Sequence, residues 1–113
     1  MQDSSQDRPE ASTPKAKTIV VCDADIEDLV PPFLEHREQD VRSIHAAVQA
    51  GDFQTVQSLG HSMKGAGGGY GFDRITEIGA ELEAAGIARD AASALHWNEE
   101  LSRYLAEIEV RYE

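Results

Sequence analysis

The stretch DFQTVQSLGHSMKGAGGGYG, residues 52–71, decides how the chain folds. Asp52 is of a residue type that caps helix N-termini. Phe53, Val56, Leu59, Met63 and Tyr70 fall on or near one face at helical spacing. The small residues Gly60, Ala66 and Gly67 fill the steps between them, and Gly71 breaks the pattern. This is an amphipathic helix, and the sequence on either side repeats the theme.

Upstream, Val30, Phe33, Leu34, Val41, Ile44 and Val48 form a second stripe, with Arg37 filling one step. Pro31 and Pro32 suit the first turn of that helix, and Gly51 stops it. Downstream, Phe72, Ile75, Ile78, Leu82 and Ala85 carry the period on, with Asp73 near the start and Gly86 as the stop. A last helix is expected from about Asp90 to Tyr112, with Leu95, Leu101, Tyr104, Leu105 and Ile108 on its stripe. Asp25 is expected to cap a short lead-in helix over Ile26–Val30. Thr18 to Val21 is β-branched but has no evident partner strand, so it reads as an extended lead-in lying along the core. Four amphipathic helices with short joints predict an all-α fold, an antiparallel four-helix bundle with a short N-terminal lead-in helix.

The chain has 113 residues, which allows one domain. Residues 1–17 are polar and read as a disordered tail; residues 18–113 read as the bundle. The net charge is −11, from 21 acids against 10 bases. The tail is neutral, so the whole excess belongs to the folded part. Such a surface is repelled by phosphate backbones and anionic lipid, so neither nucleic acid nor a membrane is an expected partner. No apolar run is long enough to span a bilayer. The start MQDSSQDRPE has no basic n-region or apolar h-region of a secretory signal. Cys22 is the single cysteine, and a cytoplasmic location is expected.

His61 stands out. At 100° per residue it lies about 140° from Val56 and about 160° from Met63 around its helix, so it faces away from the core stripe. Gln57, Ser58, Lys64 and Gly65 are its neighbours on that outer face. An exposed neutral imidazole is a good nucleophile near pH 7. Lys64 can neutralise an anion attached to it. Gly65 costs about 1 kcal/mol against Ala within a helix, which suits a place where another surface must come close. Lys64 is also the only base between Arg42 and Arg74.

The run His61-Ser62-Met63-Lys64-Gly65, with Gly71 following, resembles the H-x-x-K-G signature of histidine phosphotransfer (HPt) domains. Ile78 to Glu83 resembles that family's next helix, and the likeness extends over residues 25–112. The resemblance implies a relay of phosphoryl groups between the aspartate of a receiver domain and a histidine of this chain. On it, His61 is the phosphoacceptor through Nε2, Lys64 stabilises the charge, and Gly65, Gln57, Ser58 and Gly68 form the receiver-docking surface. Glu83 matches a position that in some members orients the imidazole, accepting from Nδ1–H and leaving Nε2 as the nucleophile. The domain itself is not an enzyme and holds no cofactor; Mg²⁺ and the catalytic groups belong to the receiver. The partners implied are a response-regulator receiver domain or a hybrid histidine kinase, engaged by a monomer, with the adjacent face of the Pro31–Ala50 helix contributing to docking.

The glycines at 65, 67, 68, 69 and 71 depart from this pattern. Within one helix they lose roughly 3–4 kcal/mol of propensity. Either tight packing on a neighbouring helix or a frayed C-terminal half-turn accounts for them. They do not form a phosphate-cradling loop, because the lysine precedes the glycines.

Plainer readings apply elsewhere. His36, His45 and His96 lack metal-ligand spacing; His45 reads as a core-edge residue, and His96 and Trp97 as packing. Ser58 and Ser62 beside His61 lack the third member and oxyanion hole of a hydrolase. Cys22 has no basic neighbour and reads as an inert thiol. A helical module that docks a receiver or kinase without carrying phosphate is the main alternative function, and a metal-binding bundle a weaker one.

Overall fold

The computed structural model of the protein describes residues 17–113. The tail expected over residues 1–17 therefore lies almost wholly outside the described residues. The elements run β1 (Thr18–Cys22), a 3-10 helix (Ala24–Leu29), α1 (Val30–Ala50), α2 (Phe53–Gly67), a 3-10 turn (Gly68–Tyr70), α3 (Asp73–Ala88), α4 (Ala91–Glu107) and β2 (Ile108–Tyr112). The expected helical bundle is present: each α-helix packs on the next, and α4 returns to α1. The core lies inside this ring. Ile44 of α1, Val56 and Met63 of α2, Ile75, Ile78 and Leu82 of α3, Leu101 of α4 and Phe72 are fully buried. Each large apolar side chain so placed contributes roughly 1.5–3 kcal/mol.

The stripe of α4 differs from the expected one. Ala94, Asn98 and Leu101 face the core, whereas Leu95 is exposed. One residue is a 100° step, and that step carries Leu95 off the stripe. Asn98 is tolerated inside because its Nδ2 donates to the Val41 carbonyl of α1 at 2.9 Å.

Local chemistry sets most helix ends. Asp52 accepts from the Thr55 N–H at 3.1 Å, and Asp90 from the Ser93 N–H at 3.1 Å. Gly51 closes α1 at φ 72°, where a β-carbon would be strained. Two expectations about helix ends need correcting and one holds. The lead-in is a 3-10 helix capped by Asp23 rather than Asp25, with a kink at Ile26. Asp73, expected near the start of α3, is its first residue. Gly86 does not stop α3, which continues to Ala88 and closes on Arg89 at φ 56°.

The two chain ends correct the reading further. Thr18–Cys22 is a strand, and it pairs in parallel with Ile108–Tyr112, from Thr18 opposite Ile108 to Cys22 opposite Tyr112. The last helix accordingly stops at Glu107 rather than reaching Tyr112. Ile108, Val110 and Tyr112 are half-buried and alternate with exposed Glu109 and Arg111, a period of two. The missing partner of each strand lies at the other end of the chain, where no local pattern reveals it.

The contact between α2 and α3 positions everything that follows. A methyl on Gly60 would run into the Glu83 backbone N and lie 2.8 Å from the Gly79 carbonyl oxygen. One on Gly79 would lie 2.5 Å from the Lys64 N, and one on Gly86 2.5 Å from the Gln57 N. The partners on α3 fall in number as those on α2 rise, so these two helices run in opposite directions with their backbones in contact. The glycine run divides its roles accordingly. Gly60 and Gly67 are buried against α3, Gly65 has nothing within 4 Å, and Gly71 closes the 3-10 turn at φ 93°.

Candidate functional site

His61 projects from α2 with 71% of its side chain exposed, while Val56 and Met63 on the opposite face are buried. Its Nδ1 lies 2.9 Å from Oε2 of Glu83. Glu83 comes from α3, and its second oxygen, Oε1, lies 2.6 Å from Nζ of Lys64. One carboxylate thus spans an imidazole and an ammonium. The reach depends on the close backbones beneath it: Gly60, next to His61, packs directly on the main chain of Glu83.

Charge and proton positions follow. The hydrogen bonds it accepts from Lys64 and then from His61 hold the Glu83 carboxyl below the ordinary glutamate range. Glu83 is therefore ionised at neutral pH, and an ionised carboxylate only accepts. Nδ1 must be the donor. In the neutral ring this leaves the lone pair on Nε2, on the far side of the imidazole from Glu83.

The remaining residues singled out from the sequence are spread around this triad. Ser58, Ser62, Gly65 and Gly68 are exposed. Gln57 is half-buried, with its backbone against Gly86. Lys64 keeps 42% of its side chain exposed. Beyond the 3-10 turn, Tyr70 stacks on Phe33 of α1 at 4.3 Å between ring centroids, and the Arg37 guanidinium sits over the same Phe33 ring at 4.8 Å. This joins the N-terminal half of α1 to the end of the histidine helix.

His45, expected at the core edge, is exposed. Its backbone position one step from buried Ile44 turns the ring outward. His96 is exposed too and meets half-buried Trp97 edge-on at 4.9 Å. The Cys22 thiol donates to the Tyr70 carbonyl at 3.3 Å, and burial pushes its pKa up, so it stays protonated. A groove of about 680 Å³ between α1 and α4, lined by Val41, His45 and Leu95 among others, includes none of the His61 cluster.

Sequence reasoning missed one residue, Thr76. Its hydroxyl donates to the Lys64 carbonyl at 3.1 Å and accepts from the Gly68 N–H at 2.8 Å. A threonine within a helix carries no sign of a bond across to a neighbouring helix, so nothing in the pattern marked it.

The family model described as the Hpt domain matches residues 28–109, which spans all four α-helices and includes His61, Lys64 and Glu83. Neither the comparison with curated proteins nor that with solved structures finds a match. With most of its length under that one model and a histidine exposed on the second helix of the bundle, the chain belongs to the Hpt domain family, whose members carry phosphoryl groups on histidine in phosphorelays.

Proposed function

We propose that this protein accepts a phosphoryl group on His61 from the aspartate of a response-regulator receiver domain and donates it back or onward to another. The observation that carries the reading is the exposed imidazole whose Nδ1 is held by Glu83. In the forward step the Nε2 lone pair attacks the phosphorus of the aspartyl phosphate. The N–P bond forms, the P–O bond to the aspartate breaks, and the carboxylate leaves with the electron pair. Nδ1 keeps its proton, so the phosphorylated ring is cationic, and the Glu83 carboxylate faces that charge. Lys64, which the free protein holds on Oε1 of Glu83, turns to the phosphoryl oxygens once they arrive. The chain supplies the nucleophile and its orientation; the receiver supplies Mg²⁺ and the groups around its own aspartate. A hybrid histidine kinase carrying such a receiver is an equivalent partner.

The reading extends to the rest of the molecule. Short joints between the helices favour an antiparallel bundle throughout, formed by residues 18–113 behind a polar tail. The −11 charge favours a protein partner over nucleic acid or anionic membrane, and a cytoplasmic monomer is the form in which we expect it to act. Gln57, Ser58, Gly65 and Gly68 would meet the receiver.

The test is transfer itself. A radiolabelled phospho-receiver mixed with the protein and Mg²⁺ should pass its label to this chain, and the label should be lost in acid and retained in base. A protein that binds receivers but takes no label from any of them would instead be a docking module without phosphotransfer.

Gly65 offers a second check. Open space surrounds it, so a larger side chain fits the free protein. Gly65→Gln should slow transfer by about tenfold or more, because a docked surface would meet the new side chain. Its melting temperature should hold or rise, since Gln is the better helix former. Parallel losses of helicity and of transfer would point to misfolding and not to a steric block.

A further inference from the structure

The hydroxyl of Thr76 occupies an unusual place. In an uninterrupted α-helix the Lys64 carbonyl would accept from the Gly68 N–H, four residues on. Helix α2 runs to Gly67, so that bond closes its last turn, and a hydroxyl from α3 bonds both of its ends as well, donating to the carbonyl at 3.1 Å and accepting from the N–H at 2.8 Å. The α-helical part of α2 ends at Gly67, and the 3-10 turn begins at Gly68. Gly67 makes this approach possible: a methyl there would lie 2.7 Å from the Thr76 hydroxyl and 2.7 Å from its backbone N. Threonine hydroxyls in helices commonly return to a carbonyl of their own helix. Thr76 instead reaches across to the end of the neighbouring helix and adds a second bond to its Lys64 carbonyl.

We infer that Thr76 is a positioning residue for Lys64. This inference rests on the phosphotransfer reading of His61. The hydroxyl holds the backbone carbonyl of Lys64 and thereby sets the last turn of α2, from which the Lys64 side chain leaves toward Glu83 and the face of His61. Thr76 touches neither the imidazole nor any reacting atom. Its effect passes through the main chain of residue 64 and through Gly68, which lies on the proposed docking surface.

The experiment is a double-mutant cycle with a structural readout. Thr76→Val keeps the shape and removes the hydroxyl. It should lower the initial rate of transfer from a phosphorylated receiver by about fivefold to tenfold, the effect of one typical hydrogen bond. Thr76→Ser restores the hydroxyl and should recover most of the rate. In a Lys64→Ala background, Thr76→Val should cost little more, because the lysine it positions is gone. Hydrogen exchange at the Gly68 amide, read by NMR on the unphosphorylated protein, should be slow in wild type and fast in Thr76→Val.

Additive losses in the cycle would overturn the inference, as would equal rates for Thr76→Val and wild type. If Thr76→Val does not fold, rapid exchange at Gly68 in the wild-type protein overturns it, and slow exchange with normal transfer by Thr76→Ser supports it. A wild-type protein that accepts no phosphoryl group removes the phosphotransfer reading, and with it the functional role of the clamp. The Gly68 exchange rate then still reports whether the hydroxyl holds the helix end.

Discussion

His61→Gln is expected to abolish labelling by a phosphorylated receiver while leaving the helical circular dichroism and melting temperature close to wild type. The two halves of this expectation have separate causes. Glutamine has no ring nitrogen with a free lone pair, so no phosphoramidate forms on it. The fold is spared because the side chain is 71% exposed and meets the rest of the protein through Glu83, which keeps its second contact to Lys64. Surface substitutions of this kind usually stay within about 0.5 kcal/mol of wild type. Labelling that persists at a normal rate in His61→Gln would move the phosphoacceptor to another residue. His36, His45 and His96 are exposed, and each could then be tested in turn.

A large loss of stability is expected from Gly79→Ala. The added methyl would lie 2.5 Å from the Lys64 N, 2.8 Å from the Gly60 carbonyl oxygen and 3.0 Å from the Lys64 Cα. All three are backbone atoms and cannot swing away as a side-chain tip can. Alanine gains about 1 kcal/mol over glycine in helix propensity. Overpacking a tight site costs about 1–3 kcal/mol, and contact with the main chain of α2 at two residues places this site at the upper end. The clash should prevail and lower the melting temperature by on the order of 10 °C. Transfer should fall with it, because parting α2 from α3 draws Glu83 away from His61 and Lys64. Gly65→Ala supplies the contrast. It meets nothing within 4 Å, so propensity acts alone and the melting temperature should rise by about 5 °C. Equal stability of Gly79→Ala and wild type would mean that the helices are not in backbone contact.

These two glycines show where reading a sequence stops. Gly65 and Gly79 are the same residue in helices of the same kind. One stands in open space and the other under a neighbouring main chain. The choice between tight packing and a frayed half-turn could not be made from the run of glycines, because it depends on what the neighbouring helix places against each of them. Gly60 and Gly67 pack, and Gly68 to Tyr70 form a 3-10 turn. The strand pair was hidden for a related reason. Thr18–Cys22 is β-branched and Ile108–Tyr112 alternates, yet each needs a partner from the opposite end of the chain. Leu95 left its expected place on the stripe and Asn98 lies inside, because a stripe read from apolar residues alone cannot weigh a polar side chain that finds a carbonyl across the bundle.

What the sequence by itself determined was the periodic part. Apolar residues at helical spacing produced four helices, Asp52 and Asp90 capped two of them, and the core residues of α2 and α3 lie where the period put them. The same period turned His61 outward beside Lys64, since the angle between two residues of one helix is a matter of counting. Tertiary structure alone decided what His61 and Lys64 touch. Glu83 and Thr76 belong to another helix, and they reach α2 only because Gly60, Gly67, Gly79 and Gly86 let two backbones meet. Spacing along a chain sets direction around one helix axis. Distance between two axes is set by packing, and here the absence of side chains at four positions sets it.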